Sequence, residues 1–307
     1  MFFSCKEITN EENSQEERFF RLYMHSNYGM DLESDDKFYY IENKPGTGAN
    51  PDSDDWIILN YVGYTIPEDL VVDTYIENVA RDNDIYESGA WYGPFKMQNG
   101  SRTEGLKQGL MKMKEGGEAT ICFTSELGYG STVTNLMKSV TAYKSLKYEV
   151  KLIKVIEDIE VYEEERLEAY VADIPGTDTI HDPDTDAIMY YVVDEENEGT
   201  TIANDSVVTV NYKGYTLDGV VFDESQEGDP FELTVGDDAG AIKGWNLGLL
   251  RFKEGEKGRL FIPYQLAYGE SGQLLTGTNY FSILPYEQLV FEIEVVEVSQ
   301  TDITETD

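Results

Sequence analysis

The chain has 307 residues, room for two domains that each bury a core, and its 40% hydrophobic and 12% aromatic content, with 22 tyrosines, excludes a disordered chain. Sixty acidic residues against 23 basic ones leave a net charge of −37, which repels nucleic-acid phosphates and anionic membranes and excludes nucleic-acid binding as a function. No apolar run approaches the roughly 20 residues that span a bilayer, so no transmembrane segment is expected.

The start, Met1-Phe2-Phe3-Ser4-Cys5, has the pattern of the end of a lipoprotein signal, followed by an acidic, polar tether from Glu7 to Glu17. On one reading Cys5 is a lipid anchor and the protein sits in the cell envelope, in the periplasm or as an outer-membrane lipoprotein. On the other, Met1 is a true start, Cys5 is incidental and the protein is cytoplasmic. A charged helical stretch follows, Glu16 to Met24, and a second one at Tyr162 to Ala172 opens the other half. Alternating or β-branched runs then predict strands, among them Val207–Tyr212, Gly258–Ile262 and Leu289–Val298. Between them Gly240–Leu250 holds Ile242, Trp245 and Leu249 at helical spacing, bounded by glycines. The order of strands, one short helix and strands predicts an α+β domain whose antiparallel sheet curls over a single helix. Cys122, in the apolar run Ala119–Phe123, is expected to be a buried, inert thiol, and with only Cys5 beside it there is no disulfide framework.

The chain is a tandem duplication. Gly105–Gly130 aligns without a gap on Gly244–Gly269, sharing nine identities over 26 positions, among them Gly105/Gly244, Gly109/Gly248, Tyr129/Tyr268 and Gly130/Gly269. Tyr39-Tyr40 and Asn60–Thr65 match Tyr190-Tyr191 and Asn211–Thr216, and Leu146–Val150 matches Leu289–Ile293. The boundary falls near Glu157–Glu160, giving domains 1–158 and 159–307.

Six motifs in order, Val208–Gly214, Asp218–Ser225, Pro230–Gly236, Ile242–Trp245, Ala267–Gly269 and Leu289–Glu292, make the second half similar to the FKBP-type peptidyl-prolyl cis–trans isomerases. The resemblance implies a five- or six-stranded antiparallel sheet wrapped around a short helix, with a proline pocket between them. It places the pocket on Tyr212, Phe222, Asp223, Phe231, Ile242, Trp245, Tyr268 and Phe291, with Trp245 as the floor, the Ile242 N–H and the Tyr268 hydroxyl on substrate carbonyls, and Asp223 as an orienting acceptor. It implies an isomerase that assists the folding of client proteins and uses no cofactor or metal. Its partners would be proline-containing peptides and unfolded clients, with macrolide-type inhibitors as further ligands. Taken singly, each aromatic is an ordinary core residue; the set argues for a site. The alternative is a non-catalytic proline-binding chaperone or a cell-envelope interaction module.

The first half keeps Tyr61, Asp73, Phe95, Tyr129 and Tyr148, but Val72, Leu106 and Arg102-Thr103 stand where Phe222, Trp245 and Ala241-Ile242 stand. Two lost rings and an added cation predict a shallower, wetter cavity, hence a degenerate copy with activity in the second domain only. An insertion near 74–93 carries Tyr75, Tyr86, Trp91 and Tyr92, expected to form a satellite core. In the second half the long loop Glu270–Gln288 keeps only Ile283-Leu284-Pro285 of the family's pocket-rimming element. Asp182-Pro183-Asp184-Thr185-Asp186 lacks the Gly and distal Glu of a calcium loop and reads as a solvated acidic turn. His25 and His181 have no partner at metal-ligand spacing.

Overall fold

The computed structural model describes residues 5–236 and 240–300, in two compact units: Met1–Asp158 with Leu274–Tyr280, and Ile159–Gln273 with Phe281–Asp307. Met1–Ser4, which carry most of the signal-like start, lie outside the described residues.

Each unit is an antiparallel sheet curled over one short helix, an α+β arrangement. In the first unit the sheet runs Phe38–Lys44, Glu118–Phe123, Ser145–Ile156, Trp56–Ile66, Val71–Thr74, and Phe95–Gln98 also pairs with Trp56–Ile66. In the second it runs Val221–Glu224, Ser206–Thr216, Leu289–Gln300, Lys257–Ile262, Ile188–Glu195, Asp178–His181, and Phe231–Thr234 pairs with Ser206–Thr216. This second sheet has seven strands where the resemblance implied five or six. The added one, Asp178–His181, forms a hairpin with Ile188–Glu195 through the acidic turn.

The duplication extends to the irregularities of the ladders. Register shifts fall between Ile58 and Leu59 in one copy and between Thr209 and Val210 in the other, and again at Gly63/Tyr64 and Gly214/Tyr215. Such bulges bend a strand and re-aim the side chains that follow. Here the two shifts flank Tyr61 in one copy and Tyr212, whose ring meets Trp245 of the short helix, in the other.

Those helices, Glu104–Leu110 and Lys243–Leu249, lie on the sheet by their glycines. A Cβ on Gly244 would stand 2.3 Å from Ile262 Cγ2, and one on Gly248 2.5 Å from Leu260 Cδ1. In the first copy Gly105 and Gly109 meet Phe123 Cγ at 2.3 Å and Ile121 Cδ1 at 2.4 Å. No real Cβ tolerates such distances, so the Gly-x-x-x-Gly face is a condition of this packing.

A longer helix covers the other face of each sheet. In the first unit one helix runs Cys5–Tyr28, through the Glu7–Glu17 stretch that composition marked as a tether. Phe20, Tyr23 and Met24 pack against Ile66 and Cys122, and the buried Glu16 carboxylate accepts from Ser125 N, Ser125 Oγ and Ser145 Oγ, each at 2.6 Å. Burial pushes the Cys122 thiol up to about 12, an inert group at neutral pH. In the second unit the helix Ile159–Val171 buries Leu167 and Val171 against Val192, Phe261 and Val290. Among the described residues no helix is long and apolar enough to cross a membrane.

The glycine contacts generate a stability prediction. Gly105→Ala gains roughly 1 kcal/mol of helix propensity but forces a methyl into the fully buried Phe123 ring, an overpacking that costs about 1–3 kcal/mol. A lower urea midpoint at unchanged slope is expected; an unchanged or higher midpoint would show that the helix lifts off the sheet at little cost.

Candidate functional site

The eight residues singled out in the second half stand around one cavity of about 170 Å³, completed by Gly240 and Ala241. It is small beside the roughly 300–1,000 Å³ clefts that enclose drug-sized ligands. Its scale suits a single side chain or ring.

The strand Ser206–Thr216 places Tyr212, paired across the ladder with Ile293. Its neighbour Val221–Glu224 supplies Phe222 and Asp223, and the start of Phe231–Thr234 supplies Phe231. Trp245 sits in the first turn of the short helix, only 4% exposed, and Phe291, equally buried, comes from the long closing strand. The rings meet mostly edge to face. Trp245 contacts Tyr212 at 5.2 Å and 89°, Phe291 at 5.2 Å and 88° and Phe231 at 5.9 Å and 83°; Phe222 meets Phe291 at 5.6 Å and 86°. These are favoured aromatic geometries, and they turn Trp245 into a wall fixed from three sides. Gly214 makes room for two of the rings: a Cβ there would lie 2.7 Å from Phe222 Cζ and 2.8 Å from Phe291 Cε1.

Polar groups sit at the edge of this apolar wall. Tyr212 Oη donates to Asp223 Oδ2 at 2.7 Å. Burial, then the hydrogen bond and charge of Asp223, raise the Tyr212 phenol, and burial followed by the charge of Asp223 raises that of Tyr268, so both keep their protons at neutral pH. Ile242 is the N-cap residue of the helix, and its N–H lies outside the helical ladder.

None of the residues lining the cavity comes from the loop Glu270–Gln288; its Ile283 is buried in the main core instead. The acidic turn is solvated from Pro183 to Asp186, but its first residue is not. Asp182 is buried, accepts from Thr185 N and Oγ1 at 3.0 and 2.6 Å, and pairs with Lys243 Nζ at 2.8 Å, while Asp184 takes the same ammonium at 2.8 Å. Burial alone would raise the Asp182 carboxyl, but Lys243 and the Thr185 donors outweigh it and hold it below its ordinary range. The turn thus ties down the first residue of the helix that carries Trp245. No sequence signal joins positions 61 residues apart, so this contact was not legible beforehand. Among the described residues no group of His, Cys, Asp or Glu is arranged to hold a metal ion.

The first copy departs from expectation in the opposite sense to wetness. Arg102, partly buried, pairs with the buried Asp73 carboxylate, and its guanidinium carbon lies 5.2 Å from the Tyr61 ring centroid and 5.3 Å from that of Phe95. Burial opposes the charge on Arg102, but the Asp73 carboxylate and the surrounding tyrosines hold its pKa well above the ordinary value. Tyr75, from the insertion, stacks on Phe95 at 4.1 Å and 6° and meets Tyr61 at 6.2 Å. The ring lost at Leu106 is replaced from another direction, and the space is filled. Tyr86 and Tyr92 do form a satellite cluster, stacked at 5.2 Å beside Ala80 and Ile85.

The chain is similar to known proteins. The profile of the family described as FKBP-type peptidyl-prolyl cis–trans isomerase matches residues 48–153 and 198–296. The FKBP-type 22 kDa peptidyl-prolyl cis–trans isomerase of Escherichia coli K12 is 39% identical over 115 residues, 37% of this chain and 52% of the relative. FkpA of the same strain is 38% identical over 111 residues, 36% of this chain and 37% of the relative. The crystal structure of Escherichia coli FkpA aligns at 33% identity with a TM-score of 0.38, covering 47% of this chain and 60% of that one. The chain therefore spans about half or less of the length of these two curated relatives.

The Asp73–Arg102 pair of the first copy makes its own prediction. Arg102→Met leaves the Asp73 carboxylate uncompensated in a dry site and should cost about 3–5 kcal/mol of that unit's stability. Asp73→Asn combined with Arg102→Met should recover a large part of it. Denaturation of both variants checks this, and equal midpoints for single and double variants would reduce the pair to a surface-like contact.

Proposed function

Since the chain belongs to the FKBP-type peptidyl-prolyl cis–trans isomerase family, we propose that its second domain catalyses prolyl isomerisation in client proteins and that the first is a non-catalytic copy. The observation that carries this reading is the single cavity that gathers Tyr212, Phe222, Asp223, Phe231, Ile242, Trp245, Tyr268 and Phe291, set against the filled space of the first copy.

Isomerisation breaks no covalent bond; it twists an amide over a barrier of about 18–20 kcal/mol, and each ~1.4 kcal/mol removed speeds it tenfold. The pyrrolidine ring seats against Trp245 between Tyr212, Phe231 and Phe291, which leaves the preceding carbonyl free to rotate. A dry aromatic wall solvates the planar, dipolar amide poorly and disfavours it relative to the twisted form. The Tyr268 hydroxyl and the Ile242 N–H hold the flanking carbonyls, and Asp223 fixes Tyr212. Because no proton is transferred, the rate should be flat between about pH 6 and 9, below the raised phenols of Tyr212 and Tyr268. A bell-shaped profile would point to general acid–base catalysis and against this mechanism.

The binding-only alternative draws support from the loop Glu270–Gln288, which contributes no lining residue. A cell-envelope location rests only on the start of the chain, where Met1–Ser4 lie outside the described residues.

The deciding measurement is isomerisation of a prolyl peptide by the full chain and by Trp245→Leu, which copies Leu106. Loss of at least tenfold in kcat/KM, with most of the melting temperature retained because the other copy folds with leucine there, is expected. A variant that melts far earlier yet keeps its specific activity would reduce Trp245 to packing and move the activity elsewhere.

A further inference from the structure

The first copy shows what its carboxylate and rings hold. Asp73, Tyr61 and Phe95 surround the guanidinium of Arg102, charge against carboxylate and cation against two ring faces. The second copy repeats these residues at equivalent ladder positions: Asp73 lies opposite Gly63 and Asp223 opposite Gly214, Phe95 opposite Leu59 and Phe231 opposite Val210. Arg102 has no counterpart there. Ala241 stands in its place and lines the cavity, which opens where the first copy is filled.

Asp223 is therefore a carboxylate without its cation. It is exposed, it accepts from the Tyr212 hydroxyl, and among the described residues no lysine or arginine pairs with it. None of the ten lining residues is basic. Lys243, two residues from Ala241, is held away by Asp182 and Asp184.

We infer that the pocket of the second domain recognises a cationic side chain next to the proline of its ligand, arginine above all, seated at the exposed rim against the Asp223 carboxylate and the outer edge of Tyr212 while the proline ring takes the cavity. The ligand supplies in trans the group that Arg102 supplies in cis in the first copy. Arginine is favoured over lysine because a planar, weakly hydrated guanidinium can meet a carboxylate and lie over a ring at once. The net charge of −37 adds long-range attraction for basic segments. This inference rests on the proline-pocket reading above and specifies its substrate class.

The test uses the full chain and dye-labelled peptides that differ only around one position, Arg-Pro-Arg, Leu-Pro-Leu, Glu-Pro-Glu and Arg-Ala-Arg, with binding followed by fluorescence anisotropy. Arg-Pro-Arg should bind roughly tenfold more tightly than Glu-Pro-Glu at low salt, the sum of one exposed ion pair and a cation–π contact. The ratio should shrink at high salt and in Asp223→Asn. Ala241→Arg, which installs the first copy's cation, should abolish binding of all prolyl peptides. Equal affinities across the three prolyl peptides would overturn the cation preference while leaving the proline pocket in place. Arg-Ala-Arg binding as tightly as Arg-Pro-Arg would overturn the proline reading and, with it, the substrate class named here. An Ala241→Arg variant that binds like the parent would break the analogy between the copies on which the inference stands.

Discussion

The close approach of the short helix to the sheet, allowed by two glycines one turn apart, is the constraint on which the site depends. Gly244 and Gly248 let the helix backbone settle against Ile262 and Leu260, and the neighbouring Trp245 is thereby brought within ring-contact distance of three strands. With side chains in place of the glycines the helix would stand off, and the indole would no longer close the bottom of the cavity. The same face recurs at Gly105 and Gly109, so the scaffold is independent of whether the pocket above it is open. At the first residue of the helix, next to Gly244, the Lys243 ammonium is gripped by Asp182 and Asp184.

On this shared scaffold the two copies diverge through very few positions. Position 102 against 241 decides whether the carboxylate on the neighbouring strand is met from within, and Leu106 against Trp245 decides which direction the third ring around the central tyrosine comes from. Tyr75 supplies that ring in the first unit. In the first unit a different set of favourable contacts occupies this region, so the divergence leaves the core packed.

Much of this was legible in the sequence, and the remainder was hidden for identifiable reasons. The duplication, the strands and the short helix follow from period-two runs, glycine punctuation and internal identity, and the eight pocket positions came together because each lies within a short motif at fixed spacing. What escaped was set by contacts between distant segments. Lys243 with Asp182, Glu16 with Ser125 and Ser145, and Tyr75 on Phe95 join residues whose pairing no local pattern encodes. A lone arginine in sequence reads as a polar intrusion, whereas in the fold a carboxylate and two rings surround it. Charge marks Glu7–Glu17 as a tether, whereas in the fold it belongs to a helix held by its own Glu16 carboxylate and by Phe20, Tyr23 and Met24 that follow.

The long helix on the outer face of the second sheet bears on how this domain can be handled as a separate piece. Phe261 and Val290 look away from the pocket and are fully buried only because Leu167 and Val171 lie over them, with Val192 of the adjoining strand completing the patch. The segment matched by the family profile, 198–296, contains Phe261 and Val290 but neither the helix nor the strand Ile188–Glu195. A fragment cut at those limits would carry a naked apolar surface and an open sheet edge, the two features that drive self-association. A fragment beginning at Ile159 keeps the apolar face covered and ends the sheet on the short strand Asp178–His181, which makes the helix a built-in solubility element of the module it precedes.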